Sequence, residues 1–311
     1  MENEKDPLLE TLGKDPYAVR SDRLHYATGE MLGKDDFQAE QLYHRRQLAM
    51  ALRFLYGYGT LAGLKVVVEP EIDPKDSTKM TDVQVIVKPG LAIDRVGRLV
   101  EVPVPVSIRL KKWFKYITNP EISGDPQAAG LLTKSFIYDV TKKCYYADII
   151  LSFHACDRGW TPAFASGPFD ALDASQPNRI RDAYEVRMVL REAKELKCYD
   201  PWEKVTKDAT KKDVQDAILN SWDALEPPPS GDQQEDFHEV PAVLKDPTAI
   251  RLARLTIPAP SAFAGTPAKV DDLDWTIKTW QPDTSGDNKN VDNTARNFIV
   301  PPAILRRLKD L

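Results

Sequence analysis

From Phe37 to Leu55 the chain places Phe37, Gln41, His44, Leu48, Ala51 and Leu55 at alternating steps of four and three. That spacing keeps them on one helical face and predicts a helix over 35–56. Asp35 and Gln38 stand three apart, as a capping box requires. Leu42, Ala49, Leu52 and Tyr56 widen the apolar face, and Arg45, Arg46 and Arg53 fall elsewhere on the wheel. Gly57, Gly59 and Gly63 then end the helix, because glycine supplies left-handed caps and close backbone approaches.

After that the period changes from helical to strand-like. The β-branched run 64–68 reads as a strand, and residues 69–80 as a polar loop. Residues 82–88 alternate as a half-buried strand, and 91–102 form a hairpin turning at Arg95-Val96-Gly97-Arg98. A further strand is expected at 104–110, with irregular chain over 111–133. Strands follow at 135–139, 145–155 and 184–191, the last two separated by a surface loop over 157–176. Lys211 to Trp222 has helical spacing through Val214, Ile218 and Trp222. Beyond it come strands at 249–257 and 275–280, a short one at 297–300, and a terminal helix opened by Pro301-Pro302.

Together these elements predict an α+β protein. A long N-terminal helix precedes a mainly antiparallel β body with long Pro-rich loops and a smaller C-terminal unit. The expected division is an N-terminal arm over 1–30, a helix-plus-β domain over 31–200, and a C-terminal α+β unit over 201–311. The acidic, proline-led stretch 226–241 serves as a linker in the last of these. The 24 prolines fall mostly between elements, which suits a β body with long connections.

Composition narrows the function classes. Net charge is −5 over 311 residues, which argues against a general nucleic-acid surface. No apolar run reaches the length of a membrane span. The polar start MENEKDPLLE is neither a secretory signal nor a transit peptide. Three widely spaced cysteines make no disulfide framework, so a reducing, cytoplasmic compartment is expected.

Several motifs resemble one family. Met31-Leu32, Asp36-Phe37, Glu40-Gln41, Tyr43-His44, Gly57-Tyr58-Gly59 and Gly63-Leu64 are similar to the N-terminal signature of a group encoded with phage-tail-like contractile injection systems. Pro89-Gly90-Leu91-Ala92-Ile93-Asp94 followed by Gly97-Arg98 is a second match, and Asn178-Arg179-Ile180-Arg181-Asp182 before a strand a third. The chain departs from the pattern at Tyr56, where the family has His, and at Thr60-Leu61, where it has Val-Val. The resemblance implies a structural part at or around the baseplate, present in multiple copies in a symmetric assembly. Its partners would be other baseplate, spike, sheath or tube proteins, with membrane contact only through the assembled particle.

Candidate chemistry is sparse. His25, His44, His154 and His238 show no zinc spacing, although His154 and Cys156 share one side of a strand that Cys144 and Cys198 could approach. Asp94, Asp139, Asp148 and Asp157 could pair as general acid and base, but acids at strand ends also serve turns. The glycines 57, 59 and 63 follow a helix and precede a strand, the reverse of a phosphate-binding order. No catalytic, cofactor-binding or metal residue is therefore assigned, and the chain is not expected to be an enzyme. The interaction candidates are Phe37, Gln41, Tyr43, His44, Leu48, Gly57, Gly59, Gly63, Arg179 and Arg181. Arg179 and Arg181 could clamp an acidic partner loop. The helix face could be intrachain core or an intermolecular seam, because burial rewards either equally.

Two alternatives stay open. Trp160, Trp275 and Trp280 could serve a surface- or glycan-binding fibre or adaptor by stacking on sugars. A carboxylate-dependent hydrolase would draw on the acids just named.

Overall fold

A computed structural model describes residues 23–29, 31–118, 138–162, 175–191, 205, 208–220, 248–262, 269–282, 288–302 and 304. Over these the chain is an α+β protein, with one long N-terminal helix followed by mostly antiparallel sheets. Most of the arm, the linker 226–241 and Cys198, His238, Phe164, Phe169 and Trp222 lie outside the described residues.

Helix α1 spans Lys34–Tyr56. Its cap differs from the expected one: Gly33 is the N-cap, and its N–H donates to Asp36 Oδ2 at 2.7 Å. Asp36 sits at the third helical position, where its carboxylate also meets the positive end of the helix dipole. At the other end the Gly57 N–H donates to the Arg53 carbonyl at 2.7 Å.

The glycine segment is not only a turn. Gly59–Gly63 forms strand β1, which pairs antiparallel with β4 (Gly90–Ile93), which in turn pairs with β5 (Leu99–Val102). A second three-stranded sheet is built from β2 (Val66–Asp73), β3 (Asp76–Val87) and β6 (Val106–Arg109). The stretch expected as a polar loop at 69–80 is therefore the far end of the β2–β3 hairpin, turning at Pro74-Lys75. Exposure of residues 74–79 explains the polar run, whereas Met80 already enters the core. Between the first two sheets, Gly63 takes φ 65°, and a Cβ there would lie 2.2 Å from the Pro89 carbonyl oxygen. Only glycine lets the two chains pass this closely.

Residues 111–118, expected to be irregular, belong to α2 (Leu110–Thr118), in which Leu110 and Phe114 are buried. The third sheet holds β7 (Tyr138–Asp139), β8 (Cys144–Pro162), β9 (Ser175–Arg191), β10 (Ile250–Pro258) and β11 (Val291–Asp292). Its order is β11-β10-β8-β7, and β9 also pairs with β8. Along β8, Tyr145, Ala147, Ile149 and Leu151 enter the main core, and Ile150 packs with Val189 and Ala249 on the opposite face. Helix α3 covers Lys211–Asn220. Residues 275–280, expected as a strand, instead contain the short helix α4 (Ile277–Trp280). Trp280 is fully buried there, and its indole N–H donates to the Asp274 carbonyl.

The described residues of the C-terminal stretch pack onto the β body. β10 lies beside β8 in register from Ile250↔Leu151 to Pro258↔Cys144. Leu252, Leu255, Ile257, Leu273 and Trp280 share one core with Leu64, Val66 and Val85. Asn293 receives the Val66 N–H on Oδ1 and donates Nδ2–H to the Val66 carbonyl, each at 2.9 Å, standing in for a strand partner. Arg296 Nη1 donates to the Leu64 carbonyl at 2.8 Å. Residues 297–300 make one isolated bridge, Thr60↔Phe298, rather than a strand.

Candidate functional site

Helix α1 meets the β body over a small contact. At the β4–β5 turn, Gly97 lies against the Ala49 backbone, and Ala49 is the one buried residue among the helix's described positions. Leu42, Tyr43, Arg46, Met50 and Arg53 on the same side are half-buried. At 100° per residue, the centre of the stripe Phe37, Gln41, His44, Leu48, Ala51 and Leu55 lies roughly 120° round the helix from Ala49. All six are exposed: Phe37 is 50% accessible, Leu48 56% and Leu55 74%. Leu42 and Ala49, expected to widen the stripe, belong to the packed side. The stripe is about 27 Å long at 1.5 Å per residue. Tyr43 turns its ring edge-on to His44, with centroids 5.4 Å apart. Upstream, the Tyr26 hydroxyl donates to the Glu40 carboxylate, laying residues 23–29 beside the helix's first half.

The seat of the helix is a rigid turn. Asp94 Oδ1 accepts the N–H groups of Val96, Gly97 and Arg98 at 2.9, 3.0 and 2.8 Å. Its other oxygen accepts Arg98 Nε–H at 2.6 Å in a pair that is almost fully buried. Burial pushes the Asp94 carboxyl above its usual range, against the opposing pull of Arg98 and the backbone donors. Arg98 also donates from Nη2 to Thr248 Oγ1 at 3.0 Å, and its guanidinium lies 4.3 Å from the Phe153 ring centroid. One side-chain pair thus ties the helix seat to the middle of β8 and the entry to β10.

A second exposed feature comes from β8 and β9. β10 begins opposite Leu151, so residues 152–162 and 175–185 pair only with each other among the described residues. This two-stranded ribbon is roughly 35 Å long at about 3.3 Å per residue. The stretch expected as a surface loop over 157–176 therefore contributes strand at both ends. Two short antiparallel strands without a covering sheet need little apolar alternation, which left no signal to read. In this register Arg179 faces Arg158, and Arg181 faces Cys156. Arg158, Arg179 and Arg181 thus share one exposed face of the ribbon. Like charges directly opposite one another suit a surface that receives an anionic group. Trp160 stands further out on β8, 70% exposed.

Among the glycines expected to take part, Gly57 caps the helix, Gly59 is buried in β1, and Gly63 is the crossing point at Pro89. Three of the four acids expected as possible catalytic partners are engaged separately among the described residues. Asp94 holds Arg98. Asp148, fully buried, is approached by Arg254 Nε at 2.8 Å, Arg191 Nε at 3.2 Å and Arg251 Nη1 at 3.6 Å. Asp139 accepts N–H groups from Lys142 and Thr141, which hold its carboxyl below the usual range, and the hydroxyl of Tyr146. Asp157 is exposed on the ribbon. Burial pushes the Cys144 thiol up, away from the thiolate that a nucleophile or ligand requires. Among the described residues, no group of three His, Cys, Asp or Glu side chains is placed to hold a metal ion. No described helix is long and apolar enough to cross a membrane.

No protein-family model matches the chain, and no curated protein matches it.

Proposed function

We propose that this chain is a structural component of a phage-tail-like contractile injection particle, at or around its baseplate, acting through protein–protein contacts. The observation that carries the reading is the orientation of α1. Its packed side rests on one turn, and six stripe residues, three of them large and apolar, face solvent. An exposed stripe of this length, carrying three large apolar side chains on one helix face, suits a surface meant for a partner.

The motifs behind the family resemblance support the same reading. Gly59 pairs with Ile93 and Gly63 with Gly90, so the glycine motif and the Pro-Gly-Leu-Ala-Ile-Asp motif are strand neighbours. The Asp94–Arg98 turn then carries the helix that bears Asp36-Phe37, Glu40-Gln41 and Tyr43-His44. Two motifs separated by some thirty residues thus build one object, the mount of α1. The third motif, with Arg179 and Arg181, stands apart on the ribbon and offers a second contact of opposite character, cationic where α1 is apolar.

On this reading the protein is made in the cytoplasm and becomes part of a tail-like particle in several symmetric copies. Partners would be baseplate, spike, sheath or tube components. Electron microscopy of particles carrying a tagged chain tests it. Label at one end of the particle, in a fixed copy number, is the expected result; particles without the chain overturn the reading. The glycan-binding alternative narrows to Trp160, since Trp280 is buried and Trp275 is half-buried with its N–H bonded to the Val270 carbonyl. The hydrolase alternative lacks two acids with a common partner among the described residues.

A further inference from the structure

We infer that the exposed stripe of α1 pairs with the same stripe on a second copy of this chain, as a short parallel two-stranded coiled coil. The inference rests on reading α1 as a contact surface, but not on which particle the chain belongs to. A stripe repeating at 3.5 residues, rather than 3.6, fits another helix that supercoils with it. Six consecutive positions at steps of four and three, all exposed, form such a seam, with Gln41, Leu48 and Leu55 at one heptad position and Phe37, His44 and Ala51 at the other.

The flanking residues specify both the occupant and its direction. In a parallel pair, the residue just before one seam position faces the residue five further along on the partner helix. Glu40 then faces Arg45 of the second copy, twice by symmetry, so opposite charges meet. In an antiparallel pair centred on the same seam, Arg45 would face Arg45, and like charges would meet. Further along, Leu52 and Phe54 flank Leu48, Ala51 and Leu55, making the C-terminal half of the seam the apolar half. Gln41 sits opposite Gln41 in the parallel arrangement, where two amides can bond across the interface and fix the register. The body leaves the seam uncovered, because Gly97 touches the helix at Ala49, roughly 120° from the seam's centre, and all six seam residues are exposed.

The test uses the full chain in sedimentation equilibrium together with disulfide cross-linking. The expected result is a shift from one chain to two as concentration rises through the micromolar range. Leu48→Glu should weaken association about a hundredfold or more, since a buried leucine is lost from each helix. Glu40→Arg alone should weaken it by roughly three- to ten-fold, and adding Arg45→Glu should restore it. Under mild oxidation, Leu48→Cys should form a 48–48 cross-link between chains, and Ala39→Cys, off the seam, should not exceed the wild-type background. A chain that stays monomeric at about 100 µM, or a dimer indifferent to Leu48→Glu, overturns the inference. Strong cross-linking between His44→Cys and Leu48→Cys chains, without a 48–48 product, overturns the parallel arrangement. A monomer that still needs Leu48 to enter its particle overturns self-pairing and leaves α1 as a contact surface; one that enters regardless of Leu48 overturns both.

Discussion

A Cβ placed on Gly97 would sit 1.9 Å from the Ala49 carbonyl oxygen, so the helix and the hairpin turn touch backbone to backbone. Gly97 has φ 98°, a conformation that side-chain-bearing residues rarely adopt. The contact is therefore demanding in two ways at once, and it holds α1 in place with one of its faces left open. Gly97→Ala should lower stability by about 1–3 kcal/mol from backbone strain alone, and by more if the helix must lift. Thermal unfolding measures this. Gly33→Ser, which offers a stronger N-cap at the other end of the same helix, should leave the transition unchanged or raise it.

Asp148 is one carboxylate among three guanidinium groups, those of Arg191, Arg251 and Arg254. Asp148→Asn keeps the shape and removes the negative charge that these three approach. Uncompensated buried charge typically costs about 3–5 kcal/mol when a buried pair is broken. Chemical denaturation should show a loss of that size, with Arg254→Lys costing less.

Tyr145 is fully buried, and its hydroxyl has no hydrogen-bond partner among the described residues. Burial pushes its pKa up to about 12, consistent with a hydroxyl kept from water. Tyr145→Phe removes an unsatisfied polar atom without changing the ring contacts to Phe114 and Tyr138. Stability should be unchanged or rise by up to about 1 kcal/mol, whereas Tyr138→Phe, which loses a bond to the Ala259 carbonyl, should be destabilising.

Acid should weaken the fold through turn carboxylates. At Asp274 burial acts to raise the pKa, but hydrogen bonds from Thr276 and Thr279 outweigh it and hold the carboxyl below its ordinary value. Asp139 is held low chiefly by the Lys142 N–H. A carboxylate depressed in the folded state contributes stability above its unfolded pKa, near about 3.9, and loses it as pH falls through the folded value. The melting temperature should be flat between about pH 7 and 5 and fall below about 4. Asp274→Asn should lower it at pH 7 and make the acid decline shallower.

The long helix and the hairpin at 91–102 were legible because each carries its own period and its own glycine. Helix α2 was also written in the chain, with Leu110, Trp113, Phe114 and Ile117 at helical spacing, but its dense mixture of lysines and aromatics masked a pattern that burial of Leu110 and Phe114 makes plain. Other features were not legible at all. The facing of Arg158 and Arg179 depends on a register across intervening chain, and the arginines around Asp148 come from β9 and β10, which no local pattern links to β8. The union of the C-terminal stretch with the main core has the same origin: β10 reads as a strand anywhere, and only pairing with β8 says where. Which side of α1 faces outward likewise follows from one glycine in a turn some fifty residues later.

On the proposed reading, the α1 stripe serves a partner and contributes little to the fold of its own chain. Leu48→Glu combined with Leu55→Glu separates these two roles when melting temperature and incorporation into particles are measured on the same variant. Wild-type melting, within about 0.5 kcal/mol as exposed substitutions allow, together with loss of incorporation, is the predicted result. A variant that incorporates as the wild type does, or one that unfolds because the stripe was core after all, would contradict it.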